Sequence, residues 1–172
     1  DKLSDLGRNY VRDLCESNDY QIRDKWFQLF KNFKYIVPGG SIMASLGKSN
    51  NVSLANCFGI EGPKDKMESI MDKGKEMAYL FMRRGGVGTH LDHLRPNGAM
   101  VNNASKTSTG APSFMELYST DVKTIGQNGR RGALMLCMSD IHPDISEFVT
   151  IKQDLTKVTG ANISVKLCRN LV

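Results

Sequence analysis

Proline is scarce in this chain, with 5 in 172 residues, and so is cysteine, with 4. No apolar run approaches the ~20 residues that a helix needs to cross a bilayer, and the longest clean run covers only residues 133–138. The N-terminus carries no hydrophobic region of the signal-peptide kind. The expectation is a cytoplasmic chain without membrane contact. Cys15, Cys57, Cys137 and Cys168 are far apart and none forms a Cys-x-x-Cys pair, which argues against structural zinc. Histidine is equally sparse. His90 and His93 flank the region of Asp92, but on a strand positions three apart face opposite ways, so they do not make a metal site on their own. His142 precedes Pro143, a pair expected to open a helix.

What is present describes a globular domain. The chain is 40% hydrophobic and 24% charged, with 16 Gly, and a domain of this size buries most of its apolar surface without disulfides or metals. Lys plus Arg number 23 against 18 Asp plus Glu, a net charge of +5. That excess suits anionic partners such as nucleotides and is modest for a nucleic-acid binder. The aromatic residues fall mostly on helix faces rather than beside basic residues as stacking platforms, so no direct nucleic-acid contact is expected.

The first fifty residues read as helical, with Leu3, Leu6, Tyr10, Val11 and Leu14 at helical spacing and then Ile22, Trp26, Phe27, Leu29, Phe30 and Phe33. Pro38-Gly39-Gly40 ends that block. Beyond it, short apolar runs alternate with amphipathic stretches, the pattern of a parallel sheet with crossover helices. Strands are expected at 52–60, 87–91, 133–138 and 162–167, and helices at 66–84, 113–125 and 143–152. The organisation expected is a helical segment at 1–50 and an α/β part at 51–172. Met67, Ile70, Met71, Met77, Ala78, Phe81 and Met82 form the buried side of the helix at 66–84. Asp65 and Glu68 resemble a capping box, and Gly85 suits the left-handed C-terminal position. A strand at 162–167 with no helix after it makes the C-terminus look cut.

Several motifs admit two readings. Gly85-Gly86-Val87-Gly88 lets a backbone approach a ligand closely, yet taken alone it is a tight turn before a strand. The loop 127–132, with Gln127, Arg130 and Arg131, combines an amide and two guanidiniums suited to base and phosphate recognition; the plainer reading is a solvated basic turn. Cys57 ends an apolar run and should sit on a buried strand as a small hydrophobe, as should Cys137. A redox role requires a second thiol facing it.

Taken in order, these pieces resemble the large subunit of class I and class II ribonucleotide reductases over roughly residues 35–167. The resemblance is carried by Pro38-Gly39-Gly40-Ser41-Ile42-Met43-Ala44, Ala55-Asn56-Cys57-Phe58, Gly85-Gly86-Val87-Gly88 and Leu94-Arg95-Pro96-Asn97-Gly98. Ser108-Thr109-Gly110-Ala111-Pro112-Ser113-Phe114-Met115, His142-Pro143-Asp144-Ile145 and Asn162-Ile163-Ser164-Val165 continue it in register. The fold it implies is α/β, part of a ten-stranded barrel, here as a parallel half-barrel sheet behind an N-terminal helical segment.

The activity implied is radical reduction of ribonucleotides to deoxyribonucleotides under allosteric nucleotide control; a non-catalytic nucleotide-binding module is the alternative. By the same resemblance Cys57 matches the first cysteine of the redox pair. Ser41, Asn56, Gly86, Gln127 and Arg131 match substrate-side positions, the last two on the loop relaying effector identity. Asp65, with a one-residue insertion, and Arg95 match contacts to a nucleotide effector, ATP or a deoxynucleoside triphosphate. The family's Asn-x-Cys-x-Glu radical loop does not occur in these residues, so the chain alone is expected to be inactive. The partners implied are the complementary C-terminal part of the catalytic subunit, a second copy in a homodimer, and thioredoxin or glutaredoxin as reductant. The radical source implied is adenosylcobalamin or a metal-containing small subunit.

Overall fold

The computed structural model describes residues 20–45, 53–125 and 132–168. They fall into two compact units, Asp1–Asn56 and Cys57–Val172. In the first, helix α1 (Tyr20–Phe30) runs into a short turn, Lys31–Phe33, and helix α2 occupies Gly40–Ser45. The helical stripe expected to extend through Phe33 stops earlier. Asn32 and Phe33 have φ of 56° and 51°, a left-handed backbone that no α-helix continues through.

The second unit alternates strand and helix: β1 (Cys57–Gly59), α3 (Met67–Met82), β2 (Gly86–His90), α4 (Ala111–Thr124), β3 (Leu134–Ser139), α5 (Ile145–Thr150) and β4 (Ala161–Lys166). The strands lie in the order β1-β2-β3-β4, and every neighbouring pair is parallel. This is the α/β class expected, seen as four strands of one sheet.

Alternation along the strands decides which side is core. Val87, Leu134 and Ala161 share one row of the ladder, and all are buried with Leu136 and Met138 against α3, α4 and α5. Met77, Phe81, Met115, Tyr118 and Phe148 close the core from the helix side. Tyr118 also donates its hydroxyl to the Ile70 carbonyl at 2.9 Å, tying α4 to α3.

Three local expectations are corrected around α3. Its buried stripe is narrower, consisting of Ile70, Gly74, Met77 and Phe81, while Met67, Met71 and Met82 are exposed. Gly74 lies where Tyr118 packs, and a Cβ there would stand 3.6 Å from the ring, so the two helices approach along that one line. No capping box forms, because Asp65 directs its carboxylate to Arg95 and Lys66 takes the N-cap position without a side-chain bond. At the other end it is Arg84, with φ 68°, that turns left-handed rather than Gly85. Arg84 N–H then meets the Phe81 carbonyl and Gly85 N–H the Leu80 carbonyl, both at 2.9 Å, the paired bonds of a Schellman ending. Gly85 serves instead as clearance, since a Cβ would come within 2.7 Å of the Phe58 ring.

Candidate functional site

An open cleft of about 430 Å³ lies between the start of α3 and the segment joining β2 to α4, lined by Asp65, Lys66, Ile70, Arg95, Asn103 and Ser108 among others. Asp65 and Arg95, predicted as one site, meet there. The Asp65 carboxylate accepts from Arg95 Nε at 2.7 Å and from the Arg95 backbone N–H at 3.2 Å. Arg95 Nη1 also donates to the Met100 carbonyl at 3.0 Å. A guanidinium carries five N–H donors in a fixed plane, so these bonds set its orientation and leave donors for a ligand.

The cleft's outer wall is a small hairpin in the β2–α4 segment. Met100 and Thr107 form an antiparallel bridge. Val101 N–H donates to Lys106 and Ser108 N–H to Ala99. Both roots of this hairpin end on one buried side chain, Asp144, whose carboxylate accepts from Asn97 N–H at 3.0 and 3.2 Å and from Ala111 N–H at 3.1 Å. His142 stands beside it, accepting the Asp144 N–H on Nδ1 at 3.1 Å. That bond places the neutral ring's proton on Nε2, which therefore donates to the Leu94 carbonyl at 2.8 Å. The expectation that His142 and Pro143 open a helix is thereby corrected, for α5 begins at Ile145 and His142 is buried against the neighbouring connection.

The second feature is the sheet face away from the helices. Cys57 pairs with Gly86 at the start of the β1–β2 ladder. Its thiol is exposed, correcting the expectation of a buried strand cysteine; alternation puts it on the face that no described helix of its unit covers. The same face carries Gly59 and Gly88, paired with each other, where an added Cβ would meet nothing within 4 Å. Cys137 shares this side but is half-buried. Burial pushes its thiol pKa up, Asp92 adds to the rise, and a hydrogen bond with Ser164 opposes it. At the strands' C-terminal ends Asp92 accepts Ser139 N–H at 2.6 Å and Lys166 Nζ at 3.2 Å. His90 Nε2 accepts Gly62 N–H at 3.2 Å, tying β2 to the segment that leads to Asp65.

Ser41 and Asn56 belong to the first unit. Ser41 is buried in α2. Asn56 lies against Gly39, where a Cβ would stand 2.6 Å from Nδ2. Its Oδ1 is buried without a hydrogen-bond partner among the described residues. Gln127 and Arg131 lie outside the described residues. Among the described residues no helix is long and apolar enough to cross a membrane, and no group of His, Cys, Asp and Glu is arranged to hold a metal.

A family model described as the ribonucleotide reductase barrel domain matches residues 55–170. The chain belongs to the ribonucleotide reductase barrel family. A vitamin B12-dependent ribonucleoside-diphosphate reductase of Mycobacterium tuberculosis is 32% identical over 132 residues, 76% of this chain and 19% of that protein. A protein of the same description from Thermoplasma acidophilum is 36% identical over 131 residues, 75% of this chain and 17% of that one. A ribonucleoside-diphosphate reductase large chain of Saccharomyces cerevisiae is 31% identical over 102 residues, covering 58% and 12%. The chain thus spans under a fifth of the length of these relatives. The Actinobacillus ureae class Id ribonucleotide reductase alpha subunit superposes with a TM-score of 0.72 at 20% identity, over 97% of this chain and 29% of that one, a likeness of fold.

Within this reductase barrel segment, the sequence gives His142 only the opening of a helix and Asp144 only a place in a matching motif, and it misses what both hold. The signal was a buried-type His beside an acidic residue in a turn, but their partners, Leu94, Asn97 and Ala111, lie 33 to 48 positions away along the chain.

Proposed function

We propose that this chain is the first part of the catalytic barrel of a ribonucleotide reductase, carrying one redox cysteine, Cys57, and a nucleotide effector cleft at Asp65 and Arg95. The observation that carries this reading is the exposed Cys57 thiol opposite Gly86, on the sheet face that no described helix of its unit covers. A catalytic thiol needs access, whereas a packing cysteine would be buried. Oxidation of Cys57 together with a second thiol to a disulfide supplies two electrons and two protons, and the ribose 2′ hydroxyl leaves as water. The second thiol comes from outside the described residues. Ser41, Asn56 and Gly86 contact the substrate, and the unpartnered Asn56 Oδ1 is an acceptor suited to a sugar hydroxyl. Gln127 and Arg131 pass the effector's identity to the substrate base.

In the cleft, the donors of Arg95 not held by Asp65 and Met100 take the phosphate oxygens of ATP or a deoxynucleoside triphosphate. The radical source is adenosylcobalamin, a reading supported by the Mycobacterium and Thermoplasma relatives being named vitamin B12-dependent, or a metal-containing small subunit. Thioredoxin or glutaredoxin re-reduces the disulfide, and the complete subunit works in the cytoplasm as a homodimer. The test is deoxynucleotide formed per folded enzyme over many turnovers, with the rest of the barrel and a radical source supplied. Cys57→Ser keeps the size and a hydroxyl but cannot form a disulfide, so multiple turnover is lost. Normal turnover by Cys57→Ser rejects the assignment.

A further inference from the structure

We infer that His142 and Asp144 form a clasp that positions the nucleotide cleft from behind; this rests on the effector reading of that cleft and adds two positioning residues to it. Neither side chain lines the cleft. Both are buried, His142 at 7% exposure and Asp144 at 8%. Asp144 stands at the N-cap position of α5, yet makes no cap bond there. Its carboxylate gathers instead the N–H groups of Asn97 and Ala111, the two roots of the hairpin that walls the cleft. His142 holds the Leu94 carbonyl, one residue before the guanidinium-bearing Arg95. The fit is close, because a Cβ on Gly110, whose φ is 81°, would stand 2.7 Å from Asp144 Oδ2.

A flexible hairpin would lose conformational freedom on binding, and a wall held at both roots has already lost much of it, which lowers the cost of binding. The clasp residues also follow β3 directly, so they connect the cleft wall to the sheet that carries Cys137 and pairs through β2 to Cys57.

The test is calorimetric titration of the intact protein with dATP, dTTP and dGTP. Asp144→Asn keeps the size but presents an amide N–H₂ where one oxygen received a backbone N–H. We expect Kd for the bound nucleotide to rise about tenfold at unchanged stoichiometry, a change of roughly 1.4 kcal/mol. A residue that only supports folding would lower the binding-competent fraction and leave Kd where it was, and that result overturns the clasp. His142→Phe, whose ring offers no donor to the Leu94 carbonyl and no acceptor to the Asp144 N–H, is the second variant and should weaken binding in the same sense. Should neither variant fold, hydrogen exchange in the unaltered protein decides. The Asn97 and Ala111 amides should exchange slowly and slow further with nucleotide bound; exchange as fast as at an open loop overturns the proposal. Absence of binding by the unaltered protein rejects the effector reading itself, and the clasp with it.

Discussion

Cys57 and Cys137 face the same side of the parallel sheet, but the ladder sets them two strands and four rungs apart, Cys57 opposite Gly86 and Cys137 opposite His90. At about 3.3 Å per residue and 4.8 Å per strand this is roughly 16 Å. A disulfide needs Cα atoms within about 7 Å. The two thiols are therefore not a redox pair, and oxidation should give no Cys57–Cys137 crosslink in peptide maps of the unreduced protein. Their reactivities should differ as well, since the Cys137 thiol is half-buried with its pKa raised by burial and by Asp92. Iodoacetamide near neutral pH should label Cys57 about tenfold faster or more. Equal rates would contradict the described burial.

Arg95→Ala separates binding from folding. The Asp65–Arg95 pair is about one-third exposed on each side, 36% and 36%, and a pair that open to water contributes at most about 1 kcal/mol to stability. The melting temperature should move little. Nucleotide affinity should fall about tenfold or more, because a charge-assisted bond to phosphate is worth roughly 1.5–3 kcal/mol. Unchanged affinity for every nucleotide tested would remove Arg95 from the cleft.

The alternation of strands and helices was legible because each apolar run and each amphipathic stretch is a local pattern, and the parallel order follows from it. Asp65 shows where legibility stopped. Its spacing to Glu68 fits a capping box, but a carboxylate has one set of acceptors, and Arg95, thirty residues on, takes them. The apolar run predicts a buried Cys57, while burial depends on which sheet face the helices cover, and sequence alternation over so short a strand does not say. The helix ending suggests a left-handed Gly85, but Arg84 adopts that backbone; the need for a glycine there comes from Phe58, packed across from the neighbouring strand. The His142 and Asp144 contacts are tertiary throughout, so no local pattern announces them.

Gly85 and Gly88 should respond oppositely to alanine. At Gly85 the new Cβ would meet the Phe58 ring at 2.7 Å and the Leu80 carbonyl at 3.2 Å, and relieving such overpacking typically costs about 1–3 kcal/mol. At Gly88 the Cβ would meet nothing within 4 Å, so stability should change by less than about 1 kcal/mol. If the uncovered face receives the substrate, Gly88→Ala should still reduce turnover of the complete assembly. Denaturant melts read the first contrast and steady-state assays the second. A Gly88→Ala enzyme with unaltered kinetics would argue that this stretch of the face lies clear of the substrate.

Asp121 provides a pH-dependent test of the α3–α4 packing. Its carboxylate lines a hollow with Ile70, Met71, Ala78, Leu117 and Ile125 and with one cation, Lys75, and a Cβ on Gly74 would stand 3.0 Å from Oδ2. Burial raises its pKa above the ordinary 3.8, since removing a carboxylate from water disfavours the charged form. The folded state then holds the proton at pH values where the unfolded chain has released it. The contribution to stability is fully present below 3.8 and is lost as pH rises through the raised folded value. Asp154 works the other way, its pKa lowered by hydrogen bonds from Thr156, so the difference between two proteins isolates Asp121. Asp121→Asn has no charge to desolvate, and its stability minus that of the unaltered protein should grow with pH across this window and then level off. Urea unfolding at a series of pH values measures it. A difference that stays flat would mean the carboxylate remains hydrated, and one that shrinks with pH would mean it is held by a cation instead.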